Sequence, residues 1–231
     1  FAEPAERRMA DVDLWVAPDE LDRAEAALTA AGFVARTRAL RPYRRDWIGP
    51  TADGVVRSLE YSHEGNPWVI ELHGTLDRIF HVGAVARFDE ERAAIAAWST
   101  AGRTLLIQRQ PLLLLTLASH CSQELGGSRL LRLVEIVNVV RADAATGRLD
   151  WDEAIAMMRR TGSSRFVFPA FALAEQLAPG TIDPRALALA RDESTWAARH
   201  TVSRLAPGGG ISDRRGVLRQ WMWTRGSLAI A

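Results

Sequence analysis

From Asp89 onward the apolar residues of this chain recur every three or four positions, so most of its second part must be helical, whereas up to about residue 75 short extended runs alternate with a single helical stripe. From Asp11 to Leu14 polar and apolar residues alternate, and Pro18-Asp19-Glu20 then signals a helix start, so a strand runs directly into a helix. That helix puts Leu21, Ala24, Leu28 and Ala31 on one stripe and stops at Gly32, a residue suited to a left-handed C-terminal cap. A second strand is expected over Phe33 to Arg38, and the stretch from Arg41 to Pro50 reads as irregular. Val55 to Ser62 and Trp68 to Gly74 read as two antiparallel strands joined through His63-Glu-Gly-Asn-Pro67. Helical periods then cover roughly 89–98, 110–125, 128–142, 150–161, 165–178 and 184–199. The reading is a domain over 1–100, a helical domain over 101–204 and a tail over 205–231 after the Pro207-Gly-Gly-Gly210 breaker. In that tail Val217 to Trp223 is amphipathic, and Trp221 and Trp223 are expected to pack a partner or another subunit.

Composition removes several functions. The chain has 231 residues, 48% of them apolar, enough for a real core and incompatible with a disordered or fibrous class. Its 29 basic residues are all arginine, which excludes Schiff-base chemistry and the lysine of a P-loop. The formal net charge is +1, so no global field favours long nucleic acids. The longest apolar run, Leu112 to Ala118, is far shorter than the roughly 20 residues of a bilayer span. Cys121 is the single cysteine, so no internal disulfide or multi-thiolate metal site exists, in keeping with a cytoplasmic location. The chain opens at Phe1 without an initiator Met, so natural residues upstream are expected.

The chemistry lies in the acids of the strands. Asp11 and Asp13 are two apart on an extended segment and project from one face, while Val12 and Leu14 enter the core. Their Cα atoms are then roughly 6 to 7 Å apart, and a divalent cation is the usual means of keeping such a pair ionised. In Ile70-Glu71-Leu72 a third acid again stands between apolar neighbours that anchor it to a sheet. An Asp, apolar, acid, apolar pattern is common by chance, so its weight comes from context: a strand, a capped helix and a further acid-bearing strand within the first 75 residues.

Arg7-Arg-Met-Ala-Asp-Val-Asp-Leu-Trp-Val16 resembles the signature of the uncharacterised nucleotidyltransferase family within the DNA polymerase β-like superfamily. The helix ending in Ala-Ala-Gly-Phe33, the strand Ile-Glu-Leu-His-Gly74, the helix ending in Ala-Ser-His120, and Arg132-Leu-Val-Glu-Ile-Val-Asn-Val-Val140 followed by Leu-Asp-Trp-Asp152 agree with it in order and spacing. The resemblance covers about residues 5 to 180 and implies an α+β fold, a small mixed sheet flanked by helices with a helical bundle behind. It further implies that Asp11, Asp13 and Glu71 are the catalytic and metal-binding triad, holding a pair of Mg²⁺ (or Mn²⁺) ions with the triphosphate. A nucleoside triphosphate would be the donor, its nucleoside monophosphate would pass to a hydroxyl on a small molecule, peptide or protein, and pyrophosphate would leave. One departure concerns the superfamily's apolar-Gly-Gly/Ser turn about ten residues before the first Asp: the first glycine here is Gly32, so such a turn is upstream of Phe1 or absent. If it is absent, the chain is a non-catalytic nucleotide-binding or protein-interaction module. A metal-dependent phosphohydrolase is a third reading, with water in place of the acceptor.

Other residues carry two readings each. Arg7 matches the family's arginine and either faces phosphates or pairs with Glu3 or Glu6. His73 follows Glu71 by two and shares its face, where it touches substrate or metal-bound water, or is a plain sheet histidine. His120 reads as a satisfied core histidine and Glu135 as the partner of Arg132 or Arg129. Arg36, Arg38, Arg41, Arg44 and Arg45, interleaved with Tyr43 and Trp47, either grip a triphosphate or polynucleotide or form a solvated loop.

Overall fold

The computed structural model describes residues 11–36, 44–49, 69–81, 83–91, 94–100, 102–125, 130–207 and 222–223. The chain divides into two compact units, Phe1–Leu76 and Asp77–Ala231.

In the first unit, strand β1 (Asp11–Trp15) runs through a 3₁₀ turn at Pro18–Glu20 into helix α1 (Leu21–Ala30). The helix ends as its sequence requires: Gly32 takes a left-handed φ of 83°, and its N–H and that of Phe33 bond back to the carbonyls of Thr29 and Leu28. Strands β2 (Val34–Ala35), β3 (Arg44–Ile48) and β4 (Val69–His73) complete a four-stranded mixed sheet in the order β1-β4-β3-β2. β1 and β4 are parallel, and β3 is antiparallel to both β4 and β2.

Two expectations change here. The stretch expected to be irregular contains β3, whose Trp47 is buried on one face while Arg44 and Asp46 form an ion pair on the other. Over Val69–His73 the two edges of β4 are taken by β1 and β3; the expected hairpin partner, 55–62, lies outside the described residues. The face of β3 and β4 that carries Arg45, Trp47, Ile70 and Leu72 is the covered one: Leu72 and Trp47 are buried, and Arg45 reaches Glu25 of α1 at 3.0 Å. The burial is confined to β3 and β4: Leu14 of β1, expected to enter the core, stands opposite Leu72 yet is 39% exposed, and the acids occupy the other side of the sheet.

The second unit begins with two short antiparallel ribbons, β5 (Arg78–His81) with β6 (Ala84–Ala86) and β7 (Ile95–Thr100) with β8 (Arg103–Gln108). The expected helix over 89–98 is therefore a 3₁₀ turn at Asp89–Glu91 followed by β7. Cross-strand pairing with β8 overrides the local helix preference of its alanines. Helices α2 (Leu112–Gln123), α3 (Leu130–Ala145), α4 (Trp151–Arg160) and α5 (Ser164–Leu177) follow close to their expected places, whereas the single helix expected over 184–199 is two, α6 (Pro184–Glu193) and α7 (Trp196–Val202), the second started by Thr195 accepting from the N–H of Ala198. Their core holds Leu112, Leu115, Leu133, Ile136, Phe166 and Phe171, each at most 1% exposed.

The central helix α5 contains Pro169, which cannot donate to the carbonyl four residues before it. Ser194 Oγ approaches that carbonyl, on Arg165, at 3.4 Å, and the N–H of Ala170 turns to Ser122 Oγ on α2 at 3.1 Å. The break is thus satisfied by neighbouring serines. Trp223, expected to pack a partner, instead lies 4% exposed in the core of its own unit, against Phe80 and Phe166 at 4.6 and 5.8 Å. Arg132, one expected partner of Glu135, pairs with Glu124 at 3.6 Å, which also holds His120 at 3.1 Å. No helix among the described residues is long and apolar enough to cross a membrane. A cavity of about 880 Å³ opens between α5, α6 and α7, walled partly by Phe168, Leu187 and Val202.

Candidate functional site

The strand register builds the site. Glu71, on central β4, stands opposite Asp13 of β1 on one side and Asp46 of β3 on the other. Residues directly opposite in a sheet share a face, so three carboxylates form a row across three adjacent strands about 4.8 Å apart. One rung along, Trp15, His73 and Arg44 form a second row, and Asp11 lies at the far end of the same face, opposite Val69. The alternation that buries Leu72 and Trp47 is what holds every acid on the opposite side.

Like charges at this spacing repel, and two side chains relieve them. His73 Nε2 is 2.6 Å from Asp13 Oδ1 and 3.6 Å from Glu71 Oε2. With Asp13 ionised the ring's Nε2–H donates in the short contact. Arg44 closes its Nε and Nη2 on the two oxygens of Asp46 at 2.8 and 3.1 Å, and its Nη1 reaches Glu71 Oε2 at 2.8 Å. Burial alone would lower the pKa of that guanidinium, but the hydrogen bond to Asp46 and the charges of Glu71, Asp46 and Asp13 raise it overall. Exposure is graded along the row: the Asp13 side chain is 46% exposed, Glu71 14% and Asp46 10%. The cluster therefore opens to solvent at Asp13 and is closed at Asp46.

Asp13, Glu71 and His73 each present one ligand atom within 4.8 Å of the others, the one such group among the described residues. An octahedral ion with bonds of about 2.1 Å spaces its ligands about 3 Å apart when adjacent and about 4.2 Å when opposite. The trio's separations, 2.6 Å from His73 to Asp13, 3.6 Å from His73 to Glu71 and none above 4.8 Å, lie around those distances, and the His73 nitrogen would have to be unprotonated to bind. Two hard carboxylate oxygens and an imidazole suit Mn²⁺ at least as well as Mg²⁺. The residues present thus fit a divalent cation.

Of the residues singled out from sequence, the structure brings Asp13, Glu71 and His73 together and places Asp11 two residues before Asp13 on the same strand face. Arg7 lies outside the described residues. Sequence reasoning missed Asp46 and overlooked where Arg44 acts. In Arg44-Arg45-Asp46-Trp47-Ile48 the pair Arg44 and Asp46 does alternate with Arg45 and Trp47, but three charged residues in a row hide the strand period.

No curated protein and no solved structure matches the chain significantly. The family described as Uncharacterised nucleotidyltransferase matches residues 1–179, which takes in the whole acidic sheet and helices α2 to α5. With more than three quarters of its length so matched, the chain belongs to the uncharacterised nucleotidyltransferase family.

Proposed function

We propose that the protein transfers a nucleoside monophosphate from a nucleoside triphosphate to a hydroxyl acceptor, in the cytoplasm, at the Asp13 end of the acidic row. The observation that carries this reading is the β1–β4 register, which sets Asp13 beside Glu71 with His73 against both. Family membership supports nucleotidyl transfer, and the donor set supports a divalent ion. Asp13, Glu71 and His73 would hold that ion, while Asp11, expected in the triad, stands opposite Val69 at the far end of the same face and outside that group. When bound, Mg²⁺ or Mn²⁺ supplies phosphate charge neutralisation and acidifies an attacking hydroxyl.

The remaining work falls to the chain itself. A row of carboxylates repels a bare triphosphate, so donor binding requires cation, and the site discriminates against nucleotide arriving without it. The exposed Asp13 is where donor and acceptor meet, because Glu71 and Asp46 are covered. There the acceptor oxygen bonds to the α-phosphorus, the bond from that phosphorus to the β-phosphate oxygen breaks, pyrophosphate leaves and the hydroxyl proton passes to solvent. Positioning supplies most of the acceleration in phosphoryl transfer, so the rigid sheet is the appropriate support. The acceptor is a small molecule, a peptide or a protein; nucleic acid is disfavoured by the near-zero net charge.

The test supplies each labelled nucleoside triphosphate with Mg²⁺ or Mn²⁺ and cell extract, then measures released pyrophosphate and labelled product. Metal-dependent labelling that Asp13→Asn abolishes supports transfer. Pyrophosphate or nucleotide turnover without any labelled product points to a hydrolase, and equal labelling by the variant overturns the assignment.

A further inference from the structure

Arg44 is held in a way that purely structural ion pairing does not require. Its Nε and Nη2 are both spent on Asp46, a residue only two positions away on the same strand, which aims the remaining Nη1 along the sheet at Glu71. Glu71 Oε2 is the oxygen that faces both Arg44, at 2.8 Å, and His73, at 3.6 Å, so the guanidinium shares a ligand with the proposed cation site. A guanidinium keeps its charge at any relevant pH, so it cannot make room by losing a proton. Once Glu71 turns to a divalent cation, the arginine is left beside a centre of the same sign while Asp46 prevents it from leaving. The arrangement then needs an anion, and the triphosphate is the anion the reaction brings.

We propose that Arg44 is a substrate-binding residue whose Nη1–H, bonded to Glu71 in the cation-free site, passes to a phosphate oxygen of the triphosphate when the site is loaded, with Asp46 as the positioning residue that aims it. This rests on the reading of the acidic row as a nucleotidyl-transfer site. It makes Arg44 a stand-in for the missing charge: the arginine neutralises Glu71 while the site is empty and the substrate when it is full. The donor, and not the acceptor, is the ligand assigned, because the planar fork matches phosphate oxygens and a neutral hydroxyl gives it no charge to meet.

The role sets two affinities in opposite directions, which a merely structural arginine does not do. Isothermal titration of the full chain uses Mn²⁺ alone, then inorganic triphosphate in fixed excess Mn²⁺, a probe that needs no knowledge of the base. For Arg44→Gln the expected result is Mn²⁺ binding about three- to tenfold tighter, since a competing positive charge is gone. Triphosphate binding is expected to weaken about tenfold or more, the value of one charge-assisted hydrogen bond. Asp46→Asn should weaken triphosphate binding in the same direction while Arg44 is still present. If Arg44→Gln does not fold, Arg44→Lys carries the test: it keeps the charge but not the fork, so Mn²⁺ affinity should hold within about twofold while triphosphate affinity falls about threefold or more. Triphosphate affinity unchanged in these variants, or Mn²⁺ affinity falling together with it in Arg44→Gln, overturns the inference alone. Wild-type protein that binds no Mn²⁺ overturns the nucleotidyl-transfer reading and this inference with it.

Discussion

Asp13→Asn separates a residue that holds a ligand from one that holds the fold. In the ion-free protein Asp13 faces Glu71 across about 4.8 Å, and at 46% side-chain exposure the surroundings are close to water, where two unit charges at that distance repel by about 1 kcal/mol. Asp11, two residues away on the same face, adds a smaller repulsion of the same sign. Removing the charge relieves both, but it also converts the 2.6 Å contact with His73 from a charge-assisted to a neutral hydrogen bond, a loss of about 1 kcal/mol. The two effects nearly cancel, so the variant should melt within a few degrees of wild type by scanning calorimetry, each 1 kcal/mol moving the midpoint by about 2 to 8 °C depending on how much of the chain melts together. Mn²⁺ breaks the symmetry. At a hundred times its dissociation constant a bound ion stabilises by about 2.7 kcal/mol, enough to raise the wild-type midpoint by about 5 °C or more and to leave the variant unmoved. A variant that melts more than about 10 °C lower without ion, or one that keeps the full Mn²⁺ shift, refutes the reasoning.

Three further outcomes test the helical unit. Asp183 caps α6 by accepting from the N–H groups of Arg185 and Ala186, and Asp183→Ala should cost about 1 kcal/mol in urea unfolding at pH 7. Its carboxyl lies below the ordinary value near 3.8, chiefly through the hydrogen bond from the Arg185 side chain against the opposing effect of burial. The wild-type advantage should therefore persist above that pH, shrink below it and vanish as pH falls through the lower folded value. Ser122→Ala leaves the N–H of Ala170 without its acceptor in a fully buried place, and should lower unfolding stability by about 1 to 3 kcal/mol. Trp223→Ala empties a site packed against Phe80 and Phe166 and should cost about 3 to 5 kcal/mol by the same assay, whereas a side chain waiting for a partner would cost almost nothing.

Where one physical demand dominated a segment, its structure was legible in the sequence. β1 and α1 follow from an alternation that gives way to a capped amphipathic stripe, and Gly32 ends the helix for the conformational reason anticipated. Helices α2 to α6 follow from their apolar period, and Asp150 and Asp183 mark two of the starts. β3 was illegible because a strand with ion pairs on one face and a buried tryptophan on the other shows no simple polar and apolar alternation. β7 was misread because its alanines favour a helix locally and only pairing with a distant segment decides otherwise. The site divides in the same way. Asp13, Glu71 and His73 declare themselves by acids and a histidine at strand spacing, while Asp46 and Arg44 join them only through the β3–β4 register, which no local pattern records.

Pulsed electron paramagnetic resonance of Mn²⁺ added to the wild-type chain reads the donor set directly. Two carboxylates and an imidazole predict a single saturable site whose spectrum carries the nitrogen coupling of one histidine, with the coupling lost in His73→Ala and the site itself lost in Glu71→Gln. Mn²⁺ bound with no nitrogen coupling, or bound equally by Glu71→Gln, would contradict the account.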